Sequence, residues 1–278
     1  MPDILIGGVR LHYDESGRGP ETLVFVHGLM LASESWAGQV AAFSDRYRIV
    51  TFDLCGQGRS AHVRAGLDLD NLAADVAELI QSLDAGACHL VGFSMGAFIA
   101  LRVAARRPDL LRSLVLIGPS AEAEAPRKMP AYRVLIAGVT LFGPRPFVRP
   151  LLNILFGPSF LKDPARAGER RHWKRYLERL PRSLAHAARA SAHRRSIIHE
   201  LSAITAPVLV VSGTEDRPVP PATARAVADA IQGARFLPVP DTGHAVMLER
   251  PALFNSALDR FLNAARGASG AEPVGDRP

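Results

Sequence analysis

Apolar residues along this chain gather into short unbroken runs, separated by longer stretches in which they recur every third or fourth position. The runs at 22–26, 48–54, 88–93, 113–117, 207–213 and 234–239 are short, mostly apolar and set off by turn residues, which predicts strands covered on both faces. Between them the 3.6-residue period predicts helices. Leu72, Val76, Leu79, Ile80 and Leu83 share one face of a helix expected over 70–83, and further helices are expected over 34–44, 97–105, 221–231 and 245–265. The segment 4–13 alternates loosely around Gly7-Gly8 and reads as a hairpin ahead of a Gly/Pro turn at 17–20. Strands alternating with helices at this spacing imply a parallel sheet with helices on both faces.

That alternation stops between 119 and 202. The segment holds helical apolar blocks split at Gly143-Pro144, Arg149-Pro150, Gly157-Pro158 and Asp163-Pro164, followed by an Arg-rich helical region over 165–204. Because the strand pattern resumes afterwards, 119–202 reads as a helical cap inserted into a core formed by 1–118 and 203–266; the alternative is a second independent domain. Residues 267–278 are polar and Gly/Pro-containing, and are expected to be a disordered tail.

At 278 residues with 48% apolar content, the chain can build one large α/β domain or a core with an insert. Its net charge of +6 is unevenly placed. From 121 to 200 there are sixteen Lys or Arg against six Asp or Glu, a net of +10, while the remaining 17 basic and 21 acidic residues net −4. A basic surface invites nucleic acid, anionic lipid, acidic proteins or carboxylate substrates. No RNA- or DNA-binding pattern accompanies these arginines, so nucleic acid is not an expected partner, and a solvated helical face is the plain reading. The longest apolar helical run, 134–142, is interrupted by Gly138 and followed by Pro144, too short to span a bilayer. Pro2 and Asp3 follow Met1 with no basic or apolar leader, and Cys55 and Cys88 suit a reducing compartment; a cytoplasmic protein, monomer or homodimer, is expected.

Candidate chemistry centres on Gly92-Phe93-Ser94-Met95-Gly96, a G-x-S-x-G pattern between a predicted strand and a predicted helix. Glycines two places either side let the backbone crowd in and hold the serine hydroxyl up for attack; the bland alternative is a serine in an ordinary Gly-rich turn. A serine needs a base, and the base an acceptor, in the chain order Ser, Asp or Glu, His. His244 and Asp216 follow the last two predicted strands and fill those places. Glu215 is an alternative acid if the turn is read one residue out, with Glu122 or Glu124 more remote. The amides of Met95 and Leu29 are the expected donors to a developing oxyanion. His27 reads as a turn-stabilising residue rather than a base. His27, Phe93, Leu135, Phe142 and Val219 are the expected substrate contacts, with many residues of the cap's apolar blocks facing the serine and the arginines of 166–195 turned outward. No metal or organic cofactor is implied.

These segments carry a resemblance. His27-Gly28-Leu29, the 52–60 segment Phe-Asp-Leu-Cys-Gly-Gln-Gly-Arg-Ser, the Ser94 pentapeptide, Gly213-Thr214-Glu215-Asp216 and Gly243-His244 resemble the α/β-hydrolase superfamily over about 11–262. The likeness is to small bacterial serine esterases, 3-oxoadipate enol-lactonase-like enzymes and cofactor-free haloperoxidase-like hydrolases. The family's usual D-x-R-G-H-G-x-S segment departs at Cys55 and Gln57 and keeps the turn. The resemblance implies an α/β-hydrolase fold, a mostly parallel eight-stranded sheet with an inserted helical cap, and a Ser-His-Asp hydrolase cleaving a carboxylic ester or lactone through an acyl-enzyme. Ser94 argues against the aspartate-nucleophile dehalogenases and epoxide hydrolases of this fold. Two other readings stay open: an esterase or thioesterase whose acyl group arrives on an acidic carrier protein docked on the basic cap, and a non-catalytic ligand-binding member of the family.

Overall fold

Successive side chains of a strand point to opposite faces of a sheet, so a strand that is apolar at every position must be covered twice. The computed structural model, which describes residues 2–62 and 66–269, meets that demand with one mixed sheet. In chain order its elements are β1 (Asp3–Ile6), β2 (Val9–Ser16), β3 (Thr22–Val26), α1 (Ala37–Phe43), β4 (Arg48–Phe52), α2 (Leu69–Ser82), β5 (Cys88–Phe93), α3 (Met95–Arg106) and β6 (Leu111–Ile117). Five helices follow: α4 (Met129–Phe142), α5 (Val148–Leu155), α6 (Pro158–Lys162), α7 (Ala167–Glu178) and α8 (Leu184–Ala192). The chain then returns to the sheet with β7 (Val208–Gly213), α9 (Pro221–Asp229), β8 (Arg235–Val239), α10 (Val246–Glu249) and α11 (Pro251–Ser269).

The strands lie in the order β1-β2-β4-β3-β5-β6-β7-β8, and every pairing from β4 to β8 is parallel; only β2 runs against its neighbours. On one face Val24, Leu90, Leu114 and Val210 pack with Val76 of α2, Ile99 of α3 and Val227 of α9. On the other, Phe25, Val91, Val115 and Val211 pack with Trp36 and with Phe254 and Leu258 of α11. The alternation inside each strand therefore divides the core in two. The chain leaves β3 for β4 on one side and passes back to β5 on the other. Loops at the carboxyl ends of strands diverge at such a reversal and leave a crevice there.

Some boundaries differ from the sequence expectation, each for a local reason. The helix expected over 245–265 is two helices, because Pro251 has no amide to donate and holds Arg250 out of helical geometry at φ −133°. The last helix continues to Ser269, so 267–269 of the expected tail is helical, its Ala-rich sequence tolerating Gly267. The rest of that tail lies outside the described residues. Among the described residues no helix is long and apolar enough to cross a membrane.

Helices α4 to α8 sit between β6 and β7. Helix α4 is apolar around most of its circumference, and such a helix cannot bury all of its faces against one neighbour. Val134, Leu141 and Phe142 are accordingly exposed, at 72%, 65% and 69%, so these three are not among the apolar residues of this region that turn inward.

Candidate active site

The turn between β5 and α3 places Ser94 at φ +52°, ψ −118°, a conformation that an L-residue holds only when its surroundings impose it. They do so by crowding. A side chain on Gly92 would meet the Gly96 carbonyl oxygen at 2.5 Å, and one on Gly96 would meet the Val26 carbonyl oxygen at 2.3 Å, so strand, turn and helix approach closely only because both positions lack a Cβ. The Ser94 amide donates to the Ile117 carbonyl at 2.8 Å, tying the turn to β6.

Loops after β7 and β8 bring two further side chains to this turn. His244 Nε2 lies 2.8 Å from Ser94 Oγ, and its Nδ1 lies 2.6 Å from Asp216 Oδ2. Both residues are buried, and Asp216 Oδ1 accepts the Val219 amide at 2.9 Å, which fixes the carboxylate's direction. A carboxylate on Nδ1 selects the tautomer whose Nε2 accepts a proton from the serine. Gly118, at φ +58° just past β6, leaves room for the pair: a Cβ there would lie 2.8 Å from His244 Cε1 and 3.2 Å from Asp216 Oδ2.

The alternative acids are engaged elsewhere. Glu215 accepts from the Ser159 amide at 2.9 Å and from its hydroxyl at 2.6 Å. Glu124 pairs with Arg194 at 3.0 Å, and Glu122 offers only its carbonyl to the same guanidinium. Met95 begins α3, and the first amides of a helix have no intrahelical carbonyl to donate to. Leu29 lines the same cavity from the loop after β3.

A cavity of about 130 Å³ opens on Ser94 and His244. Leu29, Phe93, Leu135, Val139, Leu151 and Val219 are among its apolar walls, and Glu124, Tyr132 and Arg194 supply polar ones. Of the expected substrate contacts, Phe93, Leu135 and Val219 line this cavity and two do not. Phe142 is out in solvent at the end of α4. His27 is fully buried below the loop, donating from Nδ1 to the Gly28 carbonyl at 2.8 Å and accepting the Leu54 amide on Nε2 at 2.9 Å; burial pushes its pKa down, so it stays neutral and pins two turns together. Arg194 departs from the outward-turned arginines. Its side chain is buried against Glu124, with the guanidinium 4.5 Å from the Phe98 ring.

One residue that sequence reasoning missed holds the His244 loop. Glu249, 1% exposed, accepts the Gly243 amide at 3.0 Å and the Gly157 amide at 3.2 Å on Oε1, while Oε2 is buried without a partner among the described residues. Burial pushes its pKa up to about 7, with the nearby Glu215 adding to the rise and the two amides and Arg166 opposing it. The only signal in the sequence was position, five residues past His244 at the end of a short helix. Among the described residues no group of three or more His, Cys, Asp and Glu is placed to hold a metal.

Comparison with known proteins fits this architecture. Residues 23–257 match the model of the alpha/beta hydrolase family. BpoC of Mycobacterium tuberculosis, provisionally assigned as a non-heme bromoperoxidase, is 33% identical over 261 residues, covering 91% of this chain and 97% of that protein. A thermophilic esterase from Thermogutta terrifontis, in its malate-bound structure, superposes with a TM-score of 0.86 at 25% identity, covering 95% of this chain and 98% of the other. The enol-lactonase from Burkholderia xenovorans LB400 does so with a TM-score of 0.86 at 25% identity, covering 94% and 100%.

Proposed function

The chain belongs to the alpha/beta hydrolase family and is a hydrolytic enzyme, and from that premise we propose that it cleaves carboxylic esters or lactones through an acyl-enzyme on Ser94. The observation that carries the reading is the continuous hydrogen-bonded chain Ser94 Oγ–His244 Nε2, His244 Nδ1–Asp216 Oδ2 at 2.8 and 2.6 Å beside an apolar cavity. In the forward step His244 takes the serine proton as Oγ attacks the carbonyl carbon, and Asp216 stabilises the resulting imidazolium. Negative charge on the carbonyl oxygen is met by the Met95 and Leu29 amides. His244 then returns the proton to the departing alkoxide, leaving the acyl group on Ser94. Water, deprotonated by His244, repeats the attack and releases the acid.

Esterase and enol-lactonase activities among the structural neighbours support this substrate class, and the apolar walls favour an uncharged acyl chain. The test is a panel of p-nitrophenyl esters and lactones of graded length, together with mass spectrometry after exposure to an alkyl phosphonate ester. One phosphonyl adduct on the Ser94 peptide, formed in step with loss of esterase activity, is expected. An adduct elsewhere, or full activity in Ser94→Ala, would reject the mechanism.

A further inference from the structure

An ester has two arms, and a second cavity adjoins the one that opens on Ser94. The second, about 560 Å³, lies between α7 and the loops that follow β3 and β4, and it shares Met30 and Leu184 with the cavity that opens on the serine. Its chemistry is different. Both have largely apolar walls, but the second adds His172, Arg175 and Arg179, with Glu34 as the one acidic side chain among its walls.

Three other arginines of the same region already have acceptors. Arg166 lies 3.2 Å from Glu169, Arg194 lies 3.0 Å from Glu124, and Arg170 donates to the Phe160 and Asp163 carbonyls. Among the described residues neither Arg175 nor Arg179 has a carboxylate within ion-pair distance. Two arginines against Glu34 leave the cavity with a formal charge of at least +1. The surrounding segment adds a positive field, since 121–200 nets +10 while the rest of the chain nets −4. At the floor of the cavity Gln57, 2% exposed, gives its Oε1 to the Met30 amide at 3.0 Å and is left with a buried Nε2 that has no acceptor among the described residues.

On the reading of Ser94 as an acylated nucleophile, the cavity that opens on the serine suits the acyl chain, and the adjoining cavity with two arginines in its walls is the place left for the departing arm. We propose that the cavity lined by Arg175 and Arg179 is a leaving-group subsite for an anionic alcohol or thiol, one that carries a carboxylate or phosphate, so that the substrate class is an apolar acyl group esterified to an acidic partner. The same chemistry is offered by a free acidic alcohol and by a phosphate-bearing thiol carrier.

The experiment compares phenyl butanoate with 3-carboxyphenyl butanoate. These share an acyl group, and the meta carboxylate barely alters the acidity of the departing phenol. Butanoyl-coenzyme A forms a third arm that separates the phosphate-bearing thiol from the carboxylate-bearing alcohol. For the wild-type enzyme at low salt, kcat/KM for at least one anionic substrate should exceed that for phenyl butanoate by about fivefold, the upper end for one exposed charge pair, with the difference in KM. The preference should collapse as the screening length shrinks from about 30 Å at 0.01 M to about 3 Å at 1 M salt. In the Arg175→Gln/Arg179→Gln double variant the anionic-to-neutral ratio should fall by about threefold or more; both side chains are at the cavity mouth and exposed, so folding is preserved. A ratio at or below one in the wild type, or a ratio that the double variant leaves unmoved, overturns the subsite. Ser94-dependent hydrolysis of phenyl butanoate with no anionic preference would reject this inference alone and leave the esterase intact. Failure to turn over any of the three esters would count against both.

Discussion

Replacing Glu249 by glutamine probes whether a buried acid holds the His244 loop in its neutral form. The carboxyl is nearly sealed from water, and its pKa stands at about 7 against an ordinary 4.5. Below pH 4.5 folded and unfolded chains both hold this proton, so the group does not tilt the balance. Between 4.5 and 7 the unfolded chain releases it first, the folded state binds more protons, and stability falls as pH rises; above 7 the loss levels off. The gap between the two values corresponds to about 3 kcal/mol. Glutamine keeps an Oε1 to accept the Gly157 and Gly243 amides and cannot ionise, so it imitates the protonated acid.

Urea unfolding of wild type and Glu249→Gln, followed from pH 5 to 8.5, reads this directly, because every other titrating group cancels in the difference. The two proteins should agree to within about 1 kcal/mol at pH 5, and the variant should be the more stable by about 2–3 kcal/mol at pH 8.5. A variant less stable than wild type by the same amount at every pH would refute the argument. It would mean that Glu249 is ionised throughout, its carboxylate accepting charge-assisted hydrogen bonds from the two amides under the nearby Arg166 charge.

Ser94→Ala and His244→Ala should each lower kcat by on the order of 10⁴–10⁶-fold, and Asp216→Asn by on the order of 10⁴-fold, while Glu124→Gln keeps a far larger share; an active Asp216→Asn beside a dead Glu124→Gln would move the acid. Ser94→Gly should unfold at higher temperature than Ser94→Ala, since glycine relieves a backbone at φ +52° worth about 1 kcal/mol, and equal melting points would show that the turn stores no strain. Gly118→Ala sets a methyl 2.8 Å from His244 Cε1 and should cost about 10²-fold in kcat with KM little changed, checked by steady-state kinetics on one p-nitrophenyl ester. Leu135→Ser should raise KM for long-chain esters whereas Phe142→Ser should leave it alone, and the reverse order would return Phe142 to the cavity wall.

The core strands and Ser94 were legible because each leaves a signature that no other arrangement explains. An unbroken apolar run such as 208–211 has to be covered on both faces, and a serine between Gly92 and Gly96 requires backbones to touch. The acid was legible only as a short choice. Asp216 and Glu215 are adjacent on one loop, yet Asp216 reaches His244 while Glu215 reaches Ser159, and nothing in a linear string fixes which neighbour faces inward. The inserted helices were less legible still. Periodicity says which residues share a face, but α4 is apolar nearly all round, so it left open that Leu135 faces the cavity while Phe142 faces water. Charge misled in the same way: Arg194 looks like its solvated neighbours until Glu124, seventy positions away, supplies the partner that permits burial.

That separation between local pattern and distant partner also governs the His244 loop. The segment from Leu155 to Ser159 crosses directly over it: Ala245 donates to the Leu155 carbonyl at 2.9 Å, Glu249 takes the Gly157 amide, and Glu215 takes both the amide and the hydroxyl of Ser159. Gly243 and Gly157 lie backbone to backbone, a Cβ on Gly243 falling 2.0 Å from the Gly157 nitrogen. Every one of these links joins a residue beside Asp216 or His244 to the segment that leads out of α5, whose Leu151, Ile154 and Leu155 wall the cavity. Lifting that segment would break four hydrogen bonds at once, three of them to carboxylates, at about 1 kcal/mol or more apiece. The cavity wall at the end of α5 and an aligned His244 are therefore one structural state of this chain rather than two independent ones, and a substitution that loosens the first should be read first in the position of the second.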